Sequence, residues 1–210
     1  MSRNRPTPAR AGRPRDPQLD EAIVRAATEL LAERGAAQTS IEQIARRAGV
    51  TKVSVYRRWR TKEDLLAHAV EALRDRLPAV DLAAGDDEPL PQVVQRLLPR
   101  WGEILADARF RRLTARLLAA AADHPALLEA YRTHHVAPRR ERARAVMERA
   151  QAEGFFDADA DIDTAIDLME GAVIRYLLLD PRAADPVQTT RYLRTLLTQV
   201  GFALPRADDA

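Results

Sequence analysis

The chain has 210 residues, enough for one or two domains at about 150 residues each. It is 46% hydrophobic and 30% charged, an ordinary globular mix, and its lack of cysteine excludes disulfides, thiolate metal sites and a cysteine nucleophile. The net charge of +2 conceals an asymmetry: residues 1–60 carry 13 Lys+Arg against 6 Asp+Glu while the remainder is acidic, the pattern of a nucleic-acid contact at one end.

Residues 1–17 lack periodicity and hold Arg3, Arg5, Arg10, Arg13 and Arg15 among four prolines, which predicts a disordered basic arm. No apolar run follows it, so it does not read as a secretory signal. No stretch reaches ~18 uncharged apolar residues, so no membrane partner is expected and a cytoplasmic location is the default. From Leu19 to about Phe202 apolar positions recur at three and four, not two, which predicts an all-α fold of about nine helices. The first spans Gln18 to Arg34, opened by Asp16-Pro17 and closed by Gly35. Ser40 and Gln43 then form a capping box, and Ile41, Ile44, Ala45 and Ala48 make one apolar face of a two-turn helix that ends at Gly49. Thr51 caps a third helix, Lys52 to Arg58, and Thr61 a fourth, Lys62 to Leu77. After a Pro/Gly-rich break at 78–91, helices are expected near 92–106 (with Pro99 inside), 110–122, 126–153 (with Pro138 as a possible split), 162–179 and 187–202.

Residues 41–58 have the helix, glycine turn and short helix of a helix-turn-helix. In that motif the first helix braces across the phosphates, while the second exposes polar groups to the major groove and buries its other face. Val50, Val55 and Trp59 suit the buried side. Lys52, Ser54, Tyr56, Arg57 and Arg58 remain for DNA, and Ala45 and Gly49 are small where the helices approach.

The run TSIEQIARRAGVTKVSVYRRWRTKEDLL, residues 39–66, resembles the DNA-binding segment of TetR-family transcriptional regulators. The shared pattern is a Thr-rich cap, Ile-Ala-x-x-Ala-Gly-Val, a Tyr followed three residues on by an aromatic, and Lys-Glu-x-Leu-Leu. Trp59 departs from it, standing where Phe is usual. The close resemblance covers residues 18–70. Beyond it, RFRRLTARLLAAAADHPALLEAYRTHHVAPRR looks like one C-terminal ligand-binding subtype.

The resemblance implies roles position by position. Tyr56 and Lys62 would contact phosphates, as would Thr39 and Thr51 at helix starts and Arg46 on the supporting helix. Lys52, Val53, Ser54 and Arg57 would lie along base edges, and Arg58 on base or backbone. For each residue the plain alternative is a solvated charge or a cap, and for Val53 packing. It also implies three regions: the arm at 1–17, the DNA-binding domain at 18–64, and a helical effector-binding and dimerisation domain at 65–210. Gly12-Arg13-Pro14-Arg15 resembles the core of an AT-hook, which places Arg in a narrow minor groove; a solvated tail is the simpler reading of four residues.

A helix-turn-helix usually binds a pseudo-palindromic double-stranded operator as a symmetric dimer. Residues 162–179 are apolar all round, which predicts burial on more than one side. The expected homodimer interface is Ile166, Met169, Val173 and Leu177 with Leu193, Leu196, Leu197 and Val200 of the last helix. An unknown small-molecule effector would then occupy the intervening helices, its pocket drawn from Trp101, Leu105, Phe110, Leu113, Leu117, Tyr131, His134, Met147 and Tyr176.

No catalytic residue, metal ligand or cofactor is assigned. Asp157, Asp159, Asp161 and Asp163 invite a calcium loop, but counting from Asp159 puts Thr164 where that loop needs glycine; acidic capping of the helix at 162 is the better account. His134 and His135 are adjacent and diverge by about 100° on a helix. There is no HExxH, phosphate-binding glycine loop or G-x-S-x-G. The expectation is a ligand-responsive transcriptional repressor. The alternatives are an activator or architectural DNA binder with no effector and a filled interior, an enzyme using the helical half, or an interaction module that no longer binds DNA.

Overall fold

The structure, a computed structural model, describes residues 17–74 and 89–205. The basic arm before Pro17, its Gly12-Arg13-Pro14-Arg15, Leu77 at the expected end of the fourth helix, and most of the break at 78–91 lie outside the described residues.

Ten α-helices follow one another among the described residues, with no strand: α1 (Pro17–Arg34), α2 (Ile41–Ala48), α3 (Lys52–Tyr56), α4 (Lys62–Arg74), α5 (Leu90–Ala106), α6 (Ala108–Ala119), α7 (Pro125–Tyr131), α8 (Ala137–Ala152), α9 (Ile162–Leu179) and α10 (Pro186–Gln199). A π-helical turn, Arg132–Val136, joins α7 to α8 without a break, so these two read as one continuous helix of nine. The widened turn sits directly before Pro138. Proline cannot donate to the ladder and its ring crowds the carbonyl four residues back. The turn relieves this by letting the Ala137 N–H reach Arg132, five residues back. α5 runs straight through Pro99 as a single helix.

The caps predicted for α2, α3, α4 and α9 are present. Ser40 Oγ accepts from the Gln43 N–H at 3.3 Å while Gln43 Oε1 accepts from the Ser40 N–H at 3.0 Å. Asp161 caps α9, accepting from the Thr164 N–H at 2.7 Å, so this carboxylate of the acidic run satisfies a helix start. Gly49 ends α2 at φ +69°, with its N–H on the Arg46 carbonyl and the Val50 N–H on that of Ala45, the Schellman arrangement. A side chain added at Gly49 would meet nothing within 4 Å. The glycine is therefore needed for its left-handed backbone, not for close approach of two helices as expected.

Three apolar clusters hold the chain, each buried aliphatic side chain contributing about 1.5–3 kcal/mol. The first joins Ile23, Leu30, Ile44, Val55 and Leu66 of α1–α4 to Leu113, Leu117, Leu127 and Tyr131 of α6 and α7. The helix-turn-helix and the second half thus share one core, which runs across the boundary expected at residue 64. The second gathers Leu90, Val94, Met147, Phe156, Ile162 and Phe202. The third gathers Leu98, Phe110, Tyr176, Leu177 and Leu193, with Tyr176 stacked on Tyr192 at 3.9 Å between ring centres. α5 and α10 approach closely because position 102 is glycine: a Cβ there would lie 2.8 Å from the Pro186 carbonyl oxygen.

Candidate nucleic-acid interface and cavity

α3 has only five residues, so its position rests on its anchors. Thr51 Oγ1 accepts from the Ser54 N–H at 3.2 Å and starts the helix. Val55 is wholly buried in the first cluster, with Val50 and Trp59 packed against it. Arg58 ion-pairs with Asp20 of α1 and donates to the Ser54 carbonyl at 3.1 Å, tying α3 to α1. The opposite face is left to solvent. Val53 is 60% exposed and Tyr56 54% exposed, beside exposed Lys52 and Arg57. A large apolar and an aromatic side chain held outward on a short, anchored helix suit a partner surface rather than water.

Cations surround this face. Arg46, Arg57 and Arg60 are exposed with no ion pair among the described residues. Lys52 pairs with Glu42 of α2. Lys62 Nζ donates to the Ala36 carbonyl at 3.2 Å and stands 3.9 Å from Glu63, so α4 begins against the start of the α1–α2 connection. Such an arrangement can neutralise phosphates on both sides of an inserted helix.

A cavity of about 460 Å³ opens among α5–α10. Its walls are mostly aliphatic and aromatic, with Trp101 and Leu105 from α5, Leu117 and Leu118 from α6, and Met169, Val173 and Ile174 from α9. Tyr131, Arg132, Arg139 and Glu170 supply polar groups. Arg139 donates to both carboxylate oxygens of Glu71 on α4, at 2.9 and 3.0 Å, and lies 6.0 Å from the centre of the Tyr131 ring. Burial acts to lower its pKa, but the Tyr131 hydroxyl and the Glu71 carboxylate outweigh that and hold it above the usual arginine value. Rings continue from the cavity wall toward α3: Tyr131 to His135 at 5.7 Å, His135 to His68 of α4 at 6.0 Å, and His68 to Trp59 at 5.8 Å.

Comparison with known proteins decides what this combination is. Residues 23–69 match the family model for bacterial regulatory proteins of the TetR family, and residues 86–196 that for the tetracyclin repressor-like C-terminal domain. The chain belongs to the TetR family. It is a helix-turn-helix transcriptional regulator, 29% identical over 193 residues to the regulator YdeS of Bacillus subtilis, covering 90% of this chain and 91% of the relative. It is 36% identical over 91 residues to the transcriptional repressor Rv3405c of Mycobacterium tuberculosis, covering 43% and 46%. It shares its fold with SmeT, the repressor of the Stenotrophomonas maltophilia multidrug efflux pump SmeDEF, at a TM-score of 0.61 and 21% identity over 89% of this chain and 96% of that one.

For this TetR-family chain the structure places the expected site residues unevenly. Arg46, Thr51, Lys52, Val53, Tyr56 and Arg57 are exposed, and Ser54 is half-buried at the cap. Thr39 is buried and donates to the Gly35 carbonyl at 2.7 Å, so its hydroxyl is committed within the connection. Arg58 is committed to Asp20. Arg60, exposed between α3 and α4, was passed over because it belongs to no periodic face.

Of the expected pocket residues, Trp101, Leu105, Leu117 and Tyr131 line the cavity. Leu113 belongs to the first cluster, Met147 to the second, and Phe110 and Tyr176 to the third, each filling core rather than wall. His134 is exposed on the π turn. Arg139 and Glu170 went unseen because nothing in their local sequence separates them from the other charges of α8 and α9.

The residues expected at a dimer face divide between the interior and the surface of the chain. Ile166, Leu177 and Leu193 are buried within the chain, and Met169, Val173 and Leu193 line the cavity. Leu196, Leu197 and Val200 are half-buried, and Leu197 packs on the second and third clusters. The face of α9 that reaches solvent carries Leu168, Leu178 and Leu179 instead.

Proposed function

We propose that this regulator is a homodimeric repressor that is released from a pseudo-palindromic operator by a small molecule. The carrying observation is the short α3, pinned by Val55 and by Arg58–Asp20, with Lys52, Val53, Tyr56 and Arg57 held outward. In this reading Lys52, Val53, Ser54 and Arg57 meet base edges, while Arg46, Thr51, Tyr56, Arg60 and Lys62 meet phosphates. Residues 18–64 form the DNA-binding region and 65–210 the effector and dimerisation region. Two copies pair through the outer faces of α9 and α10, where Leu168, Leu178, Leu179 and Val187 are exposed. Leu168 and Leu179, 59% and 75% exposed, fall on one side of α9 eleven residues apart and support a covered apolar face.

The cavity supports a small-molecule effector over the filled interior that an effector-free DNA binder would have. Leu117 and Tyr131 belong both to its wall and to the core that holds Val55, Leu65 and Leu66. A ligand that displaces Tyr131 must therefore disturb α4. To shift the regulator from 1:99 to 99:1 between DNA-competent and released states, it must favour the released state by about 10⁴-fold.

The test is fluorescence anisotropy on DNA from just upstream of the protein's own gene, against a scrambled duplex, at two salt concentrations. Tight, selective binding that is lost in Tyr56→Ala and Lys62→Ala is the expected result. Equal, salt-sensitive binding to both duplexes, repeated after selection from a random library, overturns the sequence-specific reading.

A further inference from the structure

Three side chains on the cavity wall carry a charge near neutral pH, Arg132, Arg139 and Glu170, and they differ in one respect. Arg139 already has a carboxylate, Glu71, which is itself buried at 6% exposure. Arg132 already has one too, donating to both oxygens of Glu129 at 2.9 and 2.7 Å. Glu170 has no cation paired with it among the described residues. The charge the wall leaves uncompensated is therefore negative, although two of its three charged groups are arginines.

Resting on the effector reading above, we infer that the cavity selects an apolar molecule carrying a positive charge, an ammonium or quaternary nitrogen on a hydrophobic body, whose cationic end sits at Glu170. Two opposing occupants fit less well. An organic anion would have to share Arg139 with Glu71 or take it over, and a buried carboxylate without its partner is strongly unfavourable. A neutral apolar molecule would cover the Glu170 carboxylate without satisfying it, which also opposes binding. A cation turns that same desolvation into a charge-assisted contact. Trp101 stands on the same wall.

The chain has two tryptophans, Trp59 and Trp101. In Trp59→Phe protein the remaining fluorescence reports on the cavity wall. Three probes of one body are titrated into the full chain: biphenyl-4-ylmethyl-trimethylammonium, biphenyl-4-ylmethanol and biphenyl-4-ylacetate. The expected result is that the cation binds at least about tenfold more tightly than the alcohol or the acetate. In Glu170→Gln that preference should collapse, the cation losing affinity and the alcohol gaining it, while the circular dichroism spectrum stays unchanged. Equal or tighter binding of the acetate or the alcohol to the Glu170 protein overturns the charge selection and leaves the effector cavity standing. Failure of all three to bind overturns both. The comparison among probes on the unsubstituted position 170 decides the point even if Glu170→Gln does not fold.

Discussion

Arg139 on α8 spans 68 residues of sequence to hold Glu71 on α4, one guanidinium nitrogen donating to both carboxylate oxygens at 2.9 and 3.0 Å. The pair connects the cavity wall to the helix that follows the DNA-binding motif. Removing Arg139 leaves a buried carboxylate alone, and Arg139→Ala should lower unfolding free energy by about 3–5 kcal/mol. Replacing both groups with apolar side chains, Arg139→Met with Glu71→Leu, should cost much less than the single loss. Urea unfolding of the four proteins of this cycle measures the coupling; equal losses in the single and double variants would remove the pair from the stability account.

Tyr56 and Arg57 face solvent from an anchored helix. Tyr56→Ala and Arg57→Ala should leave stability within about 0.5 kcal/mol of the parent, since neither side chain fills the core. On operator DNA, Arg57→Ala should cost about 1–3 kcal/mol and relax preference at one base position. Lys62→Ala should weaken all sequences alike and reduce the salt slope by about one. Anisotropy titrations across a salt series separate the two behaviours, and an unchanged slope in Lys62→Ala would deny it a phosphate.

Gly49 adopts φ +69° with open space where a side chain would stand. Gly49→Ala should therefore destabilise through backbone strain alone, by about 1–2 kcal/mol. Gly49→Asn should cost less, because asparagine tolerates this region. Thermal melts of both variants make the comparison, and an alanine variant as stable as the parent would refute the strain argument.

Asp180 closes α9 and caps the short 3-10 turn Pro181–Ala184, accepting from the Arg182 N–H at 2.9 Å. The side-chain hydrogen bond from Arg182 is the main cause that lowers its pKa from 3.8 to about 2. A folded-state value below the unfolded one means the stabilisation is present above about pH 4 and is lost as pH falls through about 2. The gap in urea midpoint between the parent and Asp180→Asn should be small, constant near neutrality, and shrink steadily as pH falls from about 4 toward 2. A gap that widens on acidification would contradict the sign.

Leu168 and Leu179 stand exposed on α9. If that face is the dimer contact, Leu168→Glu with Leu179→Glu should yield a monomer in sedimentation velocity and weaken operator binding by well over tenfold, through loss of the second half-site. A dimer that survives both charges places the contact elsewhere.

The sequence by itself determined the local features of this protein. Caps and turns depend on residues three to six apart, so Ser40 with Gln43, Thr51, Gly49 and the outward face of α3 were legible without a fold. Tertiary structure decided everything that depends on distant neighbours. Arg58 looks like a DNA contact until Asp20, 38 residues earlier, is packed beside it. Thr39 looks like a phosphate contact until packing buries it. α9 is apolar around its whole circumference, so periodicity could not separate Ile166 in the core, Val173 on the cavity wall and Leu168 in solvent. Hydrophobicity states that a residue prefers burial; only packing assigns it a core, a wall or a partner.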